Sequence, residues 1–369
     1  MPVYRDPVDG LVLDESALQA WTSKLLTALA TPDDIAGDVA EILVASDRRG
    51  IASHGTARLP NYVALVEARV LEPSARPVIS RGRRSLTLFD AQNGWGHHAS
   101  RVAVDWAIAA ARREGTATAV VAHSNHYGIA GWYALRAADA GLIGLSFTNS
   151  SPLVAPTRSR RPMIGTNPIA IAAPAGRWGR FCLDMATSTI PRGRVEVAAR
   201  RGETLLEGWA IDVDGQPAIT PSAALAGSLQ PLGGDEAHGG YKGYGLGLAV
   251  DLLTGVLSGS TFGPNILGLF STEGPSDLGQ SFVVIDPTAI DEPGGFEHRL
   301  EGYLDQLVEA ATIAAAPGRV LIPGEPEAEA ERKAAARGIV VDAEHHAALA
   351  RLAERFGLSL PAAQRLAPP

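Results

Sequence analysis

The sequence predicts a mixed α/β protein, and three observations predict it. Six short β-like runs, SLTLFDA, ATAVVAHS, LIGLSFTNS, NPIAIAAP, FCLDMA and SFVVIDP, lie between residues 85 and 287. Helical patterns separate some of them, and further helical patterns occupy both ends of the chain.

Taken in order, Leu18, Trp21, Leu25 and Leu29 recur at helical spacing behind Asp14-Glu15-Ser16. In a second helix Thr31 serves as N-cap and Pro32 suits the first turn. Asp33 and Asp34 complement the dipole, and Ile35, Val39, Ile42 and Leu43 form the stripe. Gly50 can end it, which puts Arg48 and Arg49 in its last turn and Ser53-His54-Gly55 in the loop beyond, before a third helix near Pro60. Ser100 to Arg113 and Ile129 to Ala140 read as helices between strands. Gly243 to Leu257 is apolar on nearly every side, so it is expected to be buried or to lie in a subunit contact. After Pro323-Gly324-Glu325 the chain should close as helix, strand and helix.

With 369 residues, 46% of them hydrophobic and 20% charged, the chain can bury one large core or two modest ones. A formal charge of −8 without a long basic run gives no footprint for nucleic acid, so a small partner is expected. The first twenty residues lack the apolar run of a secretory signal, and no stretch is long and apolar enough for a membrane span. The single cysteine, Cys182, reads as a buried strand thiol, and a cytoplasmic location is expected.

The fingerprint G-x-G-x-x-G is missing, which argues against a Rossmann cofactor site. Other glycine-bearing turns remain at Gly165-Thr166-Asn167-Pro168, Gly239 to Gly245 and Pro323-Gly324-Glu325. Each alone is a plain turn, but unhindered N–H groups there can bind phosphate, with Lys242 adding a charge. Among nine histidines, His54 and His126 sit among small polar residues at element ends, where side chains tend to face a cleft. An imidazole there can exchange a proton with a carbonyl or imine reduced by hydride; the alternative is a hydrogen-bonded structural histidine. His97 and His98 read as helix-capping, and His345 and His346 as solvated. A metal is not expected: His123 and His126 are three apart, but on a strand end and without H-E-x-x-H. A serine hydrolase is not expected either, since G-x-S-x-G is absent. Arg48 can clamp a carboxylate or be a helix-end cation. Asp184 can orient a histidine, hold a ribose hydroxyl, or be a surface carboxylate.

Eight segments in order carry a resemblance: Ser53-His54-Gly55 with Arg58 and Pro60, Asn125 to Gly131, Thr148 to Pro152, Gly165 to Ile169, Asp184 to Ser188, Pro231 to Gly234, Tyr241 to Leu246, and Pro323 to Glu325. Together they resemble the malate/L-lactate dehydrogenase family. That resemblance implies a family-specific, non-Rossmann nucleotide-binding α/β fold with a helical domain formed by both chain ends, here 1–78 plus 326–369, around a nucleotide domain at 79–325. It implies a homodimer that uses NAD or NADP to interconvert a small 2-oxo acid and its 2-hydroxy acid, or a cyclic imine or N-methyl-amino acid. A protein that binds a nucleotide or organic acid without turnover is the rival from another class.

Carried over by resemblance, His54 and His126 take acid or base roles, with His54 preferred as proton donor, and Arg48 contacts the substrate carboxylate. Ser150, Asp184, Met185, Ala186, Lys242, Pro323, Gly324 and Glu325 contact the cofactor. One departure is the inserted stretch Asp235 to Gly240 before Lys242, which bears on cofactor preference. Another is Arg192 and Arg194 after Thr187-Ser188-Thr189, which favour a 2′-phosphate.

Overall fold

The structure is a computed structural model that describes residues 7, 10–310 and 318–366, with Arg200 and Arg201 by backbone alone. The chain opens with β1 (Leu11–Leu13), α1 (Glu15–Ala28), α2 (Asp33–Arg48) and α3 (Leu59–Glu67). Asp14 caps α1 by accepting from the Ala17 N–H at 2.8 Å, and Leu18, Trp21 and Leu25 face inward as their spacing requires. The expected cap of α2 is displaced. Pro32, not Thr31, holds the N-cap position and makes no side-chain bond, because the Thr31 hydroxyl accepts from Trp95 Nε1 at 3.2 Å instead.

A long sheet follows: β2 (Val78–Arg83), β3 (Leu86–Asp90), α4 (Gly96–Glu114), β4 (Thr116–Ser124), α5 (Ala130–Asp139), β5 (Ile143–Thr148), β6 (Ile169–Pro174) and β7 (Arg180–Met185). An excursion carries α6 (Arg192–Arg201), β8 (Ala210–Ile211), α7 (Pro221–Ala226), β9 (Ser228–Leu229) and α8 (Gly240–Asp251) before β10 (Leu278–Ile285) returns to the sheet and α9 (Gly295–Val308) packs on the connection between β6 and β7. The chain closes with α10 (Glu325–Arg337), β11 (Ile339–Val341), α11 (Ala343–Phe356) and β12 (Gln364–Arg365). All six strand-like runs are strands, and the closing order after Glu325 begins helix, strand, helix as read from the sequence.

Sheet order is β2-β3-β4-β10-β5-β6-β7, and only the β3/β4 pair is parallel. The sheet is therefore not the parallel, doubly wound one of a Rossmann domain. Register decides what lies together. Gln280 pairs with Thr148, Phe147 with Ile169, and Ile169 with Met185. The C-terminal ends of β3, β4, β5 and β7 thus share one edge with the start of β6.

Among the described residues four cores serve these elements, the smallest being Ala175, Leu304 and Ile322 beneath α9. Alanine-rich faces of α4 and α5 pack on the sheet with Tyr127, Tyr133 and Phe282. Chain ends share a second core, in which Leu18, Leu25, Leu43 and Tyr62 meet Val341 and Leu349. A third lies under the excursion, around Val154, Ile190 and Leu229. Cys182 is buried on β7, and burial pushes its thiol up to about 12, so it is inert. Among the described residues no helix is long and apolar enough to cross a membrane.

Candidate active site

One buried carboxylate shapes the Ser53-His54-Gly55 loop. Asp47, in the last turn of α2, accepts from the Thr56 N–H at 2.9 Å and the Thr56 hydroxyl at 2.6 Å. A Cβ on Gly55 would stand 1.9 Å from Asp47 Oδ1, so only glycine lets the chain pass so close. His54 leaves this loop with Nδ1 2.8 Å from Ser53 Oγ, and Arg58 Nε donates to the Ser53 carbonyl at 2.6 Å.

His126 comes from the opposite side, just past β4 on the shared sheet edge. Its Nδ1 accepts from the Gly128 N–H at 3.3 Å and lies 2.6 Å from the Tyr62 hydroxyl. A backbone N–H can only donate, so Nδ1 is unprotonated, Tyr62 donates to it, and the neutral ring carries its proton on Nε2. The His54 and His126 rings stack with centroids 5.5 Å apart. Phe270 closes the group, 5.7 Å from His126 and 5.8 Å from Tyr62, with the Arg58 guanidinium 5.5 Å from its ring centre. Fully buried His97 lies beneath, 5.3 Å from Tyr62 and 6.2 Å from His126.

Burial sets the charge state of this cluster. Loss of water pushes His54 down to about 4, with the Arg58 charge adding to it, and pushes His97 down to about 3. His126 is held well below the usual imidazole range by burial, then by repulsion from His54, His97 and Arg58. Among the described residues no carboxylate pairs with Arg58. The site is one cation facing two neutral imidazoles, suited to an anion that carries an adjacent exchangeable proton.

Sequence-predicted cofactor residues fall along the same edge. Ser150 follows β5, with its N–H on Asn167 Oδ1 at 3.0 Å and its hydroxyl accepting from the Thr166 N–H at 3.1 Å. Asp184 and Met185 end β7, and Ala186 follows it. Pro323-Gly324-Glu325 lies along the free side of β7: the Cys182 N–H donates to the Pro323 carbonyl at 3.1 Å, and Gly324, at φ +90°, passes where a Cβ would be 2.8 Å from Cys182 Cβ. Exposed Lys242 is in the first turn of α8, whose Gly247 packs on Thr187. The inserted Asp235 to Gly240 stretch folds on itself, with the Gly240 N–H on the Asp235 carbonyl at 2.8 Å.

Several expectations are corrected. Arg48 is not at the histidines: it pairs with Glu15 at 2.8 Å and Glu331 at 3.5 Å and lines a separate cleft with Arg49, Arg136 and Arg180. Asp184 orients neither His54 nor His126; it accepts from the Gly131 N–H at 2.8 Å. His97 and His98 do not cap α4, which has Trp95 at its N-cap. They lie within its first turn, His98 on Asp38 at 2.7 Å. His345 is buried, not solvated, with Nε2 2.9 Å from Thr56 Oγ1. Arg192 and Arg194 begin α6 around Gly193, which faces Ser53, so that helix stands by the histidine loop. His123 turns to Asp277 at 3.0 Å. Among the described residues no group of three or more metal-type ligands forms. Sequence reading gave no role to Tyr62 or Phe270, took His97 only as a helix cap, and met Arg58 only as part of a motif.

The buried histidines make an acid-stability prediction. His97 is neutral when folded and charged below about 6.5 when unfolded, so the unfolded chain binds the extra proton and stability falls as pH drops from about 6.5 to about 3. His97→Gln removes that titration. Its stability relative to the parent should rise by about 1.4 kcal/mol per pH unit over that window, read by urea unfolding at several pH values. Parallel stability curves for the two proteins would sink the idea.

A family model described as malate/L-lactate dehydrogenase matches residues 13–350. The malate dehydrogenase of Pyrococcus abyssi is 42% identical over 299 residues, covering 80% of this chain and 81% of that protein. The L-sulfolactate dehydrogenase of Methanothermobacter thermautotrophicus is 34% identical over 319 residues, covering 86% and 89%. The crystal structure of malate dehydrogenase from Entamoeba histolytica superposes with a TM-score of 0.92 at 30% identity, covering 96% of this chain and all of that one (100%). With this match spanning most of its length, the chain belongs to the malate/L-lactate dehydrogenase family.

Proposed function

We infer that the protein is a dehydrogenase that uses NAD or NADP to interconvert a small 2-hydroxy acid and its 2-oxo acid. The carrying observation is Arg58, a cation without a carboxylate partner among the described residues, beside two neutral imidazoles. A 2-hydroxy acid presents a carboxylate and, one carbon away, the hydroxyl whose proton must leave.

A nicotinamide dinucleotide fits the sheet edge. Loss of water around Asp184 at the end of β7 pushes its carboxyl up to about 6 against the pull of the Gly131 N–H and Arg49. Its second oxygen has no hydrogen-bond partner among the described residues and can take a ribose hydroxyl. Ser150, Asp184, Met185, Ala186, Lys242, Pro323, Gly324 and Glu325 would hold the cofactor, which, when bound, exchanges hydride with C2.

The chain's own groups do the rest. Arg58 fixes the carboxylate. His126, its Nδ1 committed to Gly128 and Tyr62, offers the Nε2 proton as a fixed hydrogen bond to the C2 oxygen. His54 faces a hydroxyl that can donate or accept, so it can gain or lose a proton at Nε2 and keep its partner. His54 is therefore the proton-transfer group. Domain limits at 1–78 plus 326–369 and at 79–325 place His54 and Arg58 on one wall and His126 and Asp184 on the other. A reduced Cys182 agrees with a cytoplasmic setting.

The partner copy of a homodimer would cover the apolar run in α8 and the helical turn Leu252–Val256 that continues it. Leu246, Leu248, Leu252, Leu253, Val256 and Leu257 are each 37% to 57% exposed in the single chain, too large an apolar patch for a free surface. The double variant Leu252→Asp with Val256→Asp should halve the mass seen by sedimentation; a monomeric parent would refute the dimer.

The activity test follows absorbance of NADH or NADPH with pyruvate, oxaloacetate, sulfopyruvate and Δ1-piperideine-2-carboxylate. Oxidation with an oxo acid supports the reading and identifies the cofactor. Turnover with the cyclic imine alone transfers the chemistry to C=N. Cofactor binding without turnover on any of them favours a binding protein.

A further inference from the structure

We propose that His345, near the other end of the chain, is a positioning residue for His54, acting through Thr56 and Asp47. The proposal rests on the reading of His54 as the proton-transfer group. His345 is 7% exposed, and its Nε2 lies 2.9 Å from the Thr56 hydroxyl, 289 residues away in sequence. That hydroxyl lies 2.6 Å from Asp47 Oδ2. A hydroxyl has one proton to give. With the carboxylate taking it, the Thr56 oxygen accepts from His345 Nε2–H, and the three groups form a directed chain.

Both ends of that chain are anchored. The His345 N–H donates to Asp342 Oδ1, the N-cap of α11, at 2.7 Å, and Leu349 and Leu352 bury the helix. Asp47 sits under Gly55 with its Oδ1 lacking a hydrogen-bond partner among the described residues, so Oδ2 and the Thr56 groups are what it holds. Thr56 is two residues after His54, and Gly55 between them has no room to shift toward Asp47. Loss of the His345 bond leaves the Thr56 hydroxyl held by Asp47 alone and loosens the loop that aims His54, where a displacement of about 1 Å costs about 100-fold. Docking of α11 thereby completes an active site built by the other end of the chain.

The test measures kcat, KM and affinity for NADH or NADPH, whichever supports turnover, the last by fluorescence, for His345→Leu, Thr56→Val, their double variant, His345→Gln and His54→Ala. His345→Leu and Thr56→Val should each lower kcat by about 10- to 100-fold, with affinity for the reduced cofactor within about two-fold. The double variant should be no worse than the worse single, because both remove one shared bond. His345→Gln, whose amide N–H can reach the same hydroxyl, should recover most of the loss. A folded His345→Leu or Thr56→Val with kcat within two-fold of the parent, or losses that simply add, overturns the proposal. So does failure of both to fold while His54→Ala remains soluble, since His345 is then only structural. A fully active His54→Ala overturns the reading of His54 itself, a different result from an inactive His54→Ala beside an unimpaired His345→Leu.

Discussion

His54→Ala is expected to lower kcat by about 10²- to 10⁴-fold in both directions, with affinity for the reduced cofactor within about two-fold. The reason is positional. His54 sits in the loop shaped by Asp47, on a different element from the residues that would hold the dinucleotide, and its contacts are Ser53 and the His126 ring. The companion measurement is the pH profile of kcat/KM for hydroxy-acid oxidation, which reports the free enzyme's base. That base must be neutral to accept a proton. With His54 pushed down to about 4, the profile should stay flat as pH falls from 8 to about 5 and decline only below that. A limb centred near 6.5 that vanishes in the variant would mean that His54 is an unburied imidazole in solution. Turnover within a few-fold of the parent would remove His54 from the mechanism.

His54 and His126 were legible because each sits among small polar residues at an element end, a local signal. The strands were legible for a similar reason: each is a short apolar run between turns, and pairing only had to sort their order. β2 was not, since Val78–Arg83 is exposed along its length and shows no buried face to read. The rest of the site was hidden because it assembles across distance. Tyr62 comes from α3, His97 from α4 and Phe270 from a loop before β10, and none has a neighbour that marks it. His97 looked like a cap because it precedes the recognisable stripe of α4, but the helix begins earlier. There Gly96 packs where a Cβ would be 2.1 Å from the Asn125 carbonyl oxygen. His345 and His346 are indistinguishable by composition; only the docking of α11 selects which ring faces Thr56.

Arg48 and Arg58 show the same limit with a larger consequence. Both are arginines close in sequence to His54, but helix geometry carries Arg48 to Glu15 and Glu331, where its charge is already neutralised. Arg58 is tied by Nε to the Ser53 carbonyl, leaving its terminal nitrogens for a ligand and its plane near the Phe270 ring. Arg58→Leu is therefore expected to cost about 3 kcal/mol of transition-state binding, about 100-fold in kcat/KM, because a buried substrate carboxylate loses a charged, two-pronged partner. Arg58→Lys keeps the charge but not the fork, and it also gives up the bond to Ser53, so it should fall between the two. Arg48→Leu should leave KM for the acid within about two-fold and act on stability alone. The discriminating measurement is KM for the acid in all three variants at fixed cofactor. If Arg48→Leu raises KM and Arg58→Leu does not, the carboxylate binds in the cleft of Arg48, Arg49 and Arg180, and the two histidines cannot both contact the same substrate.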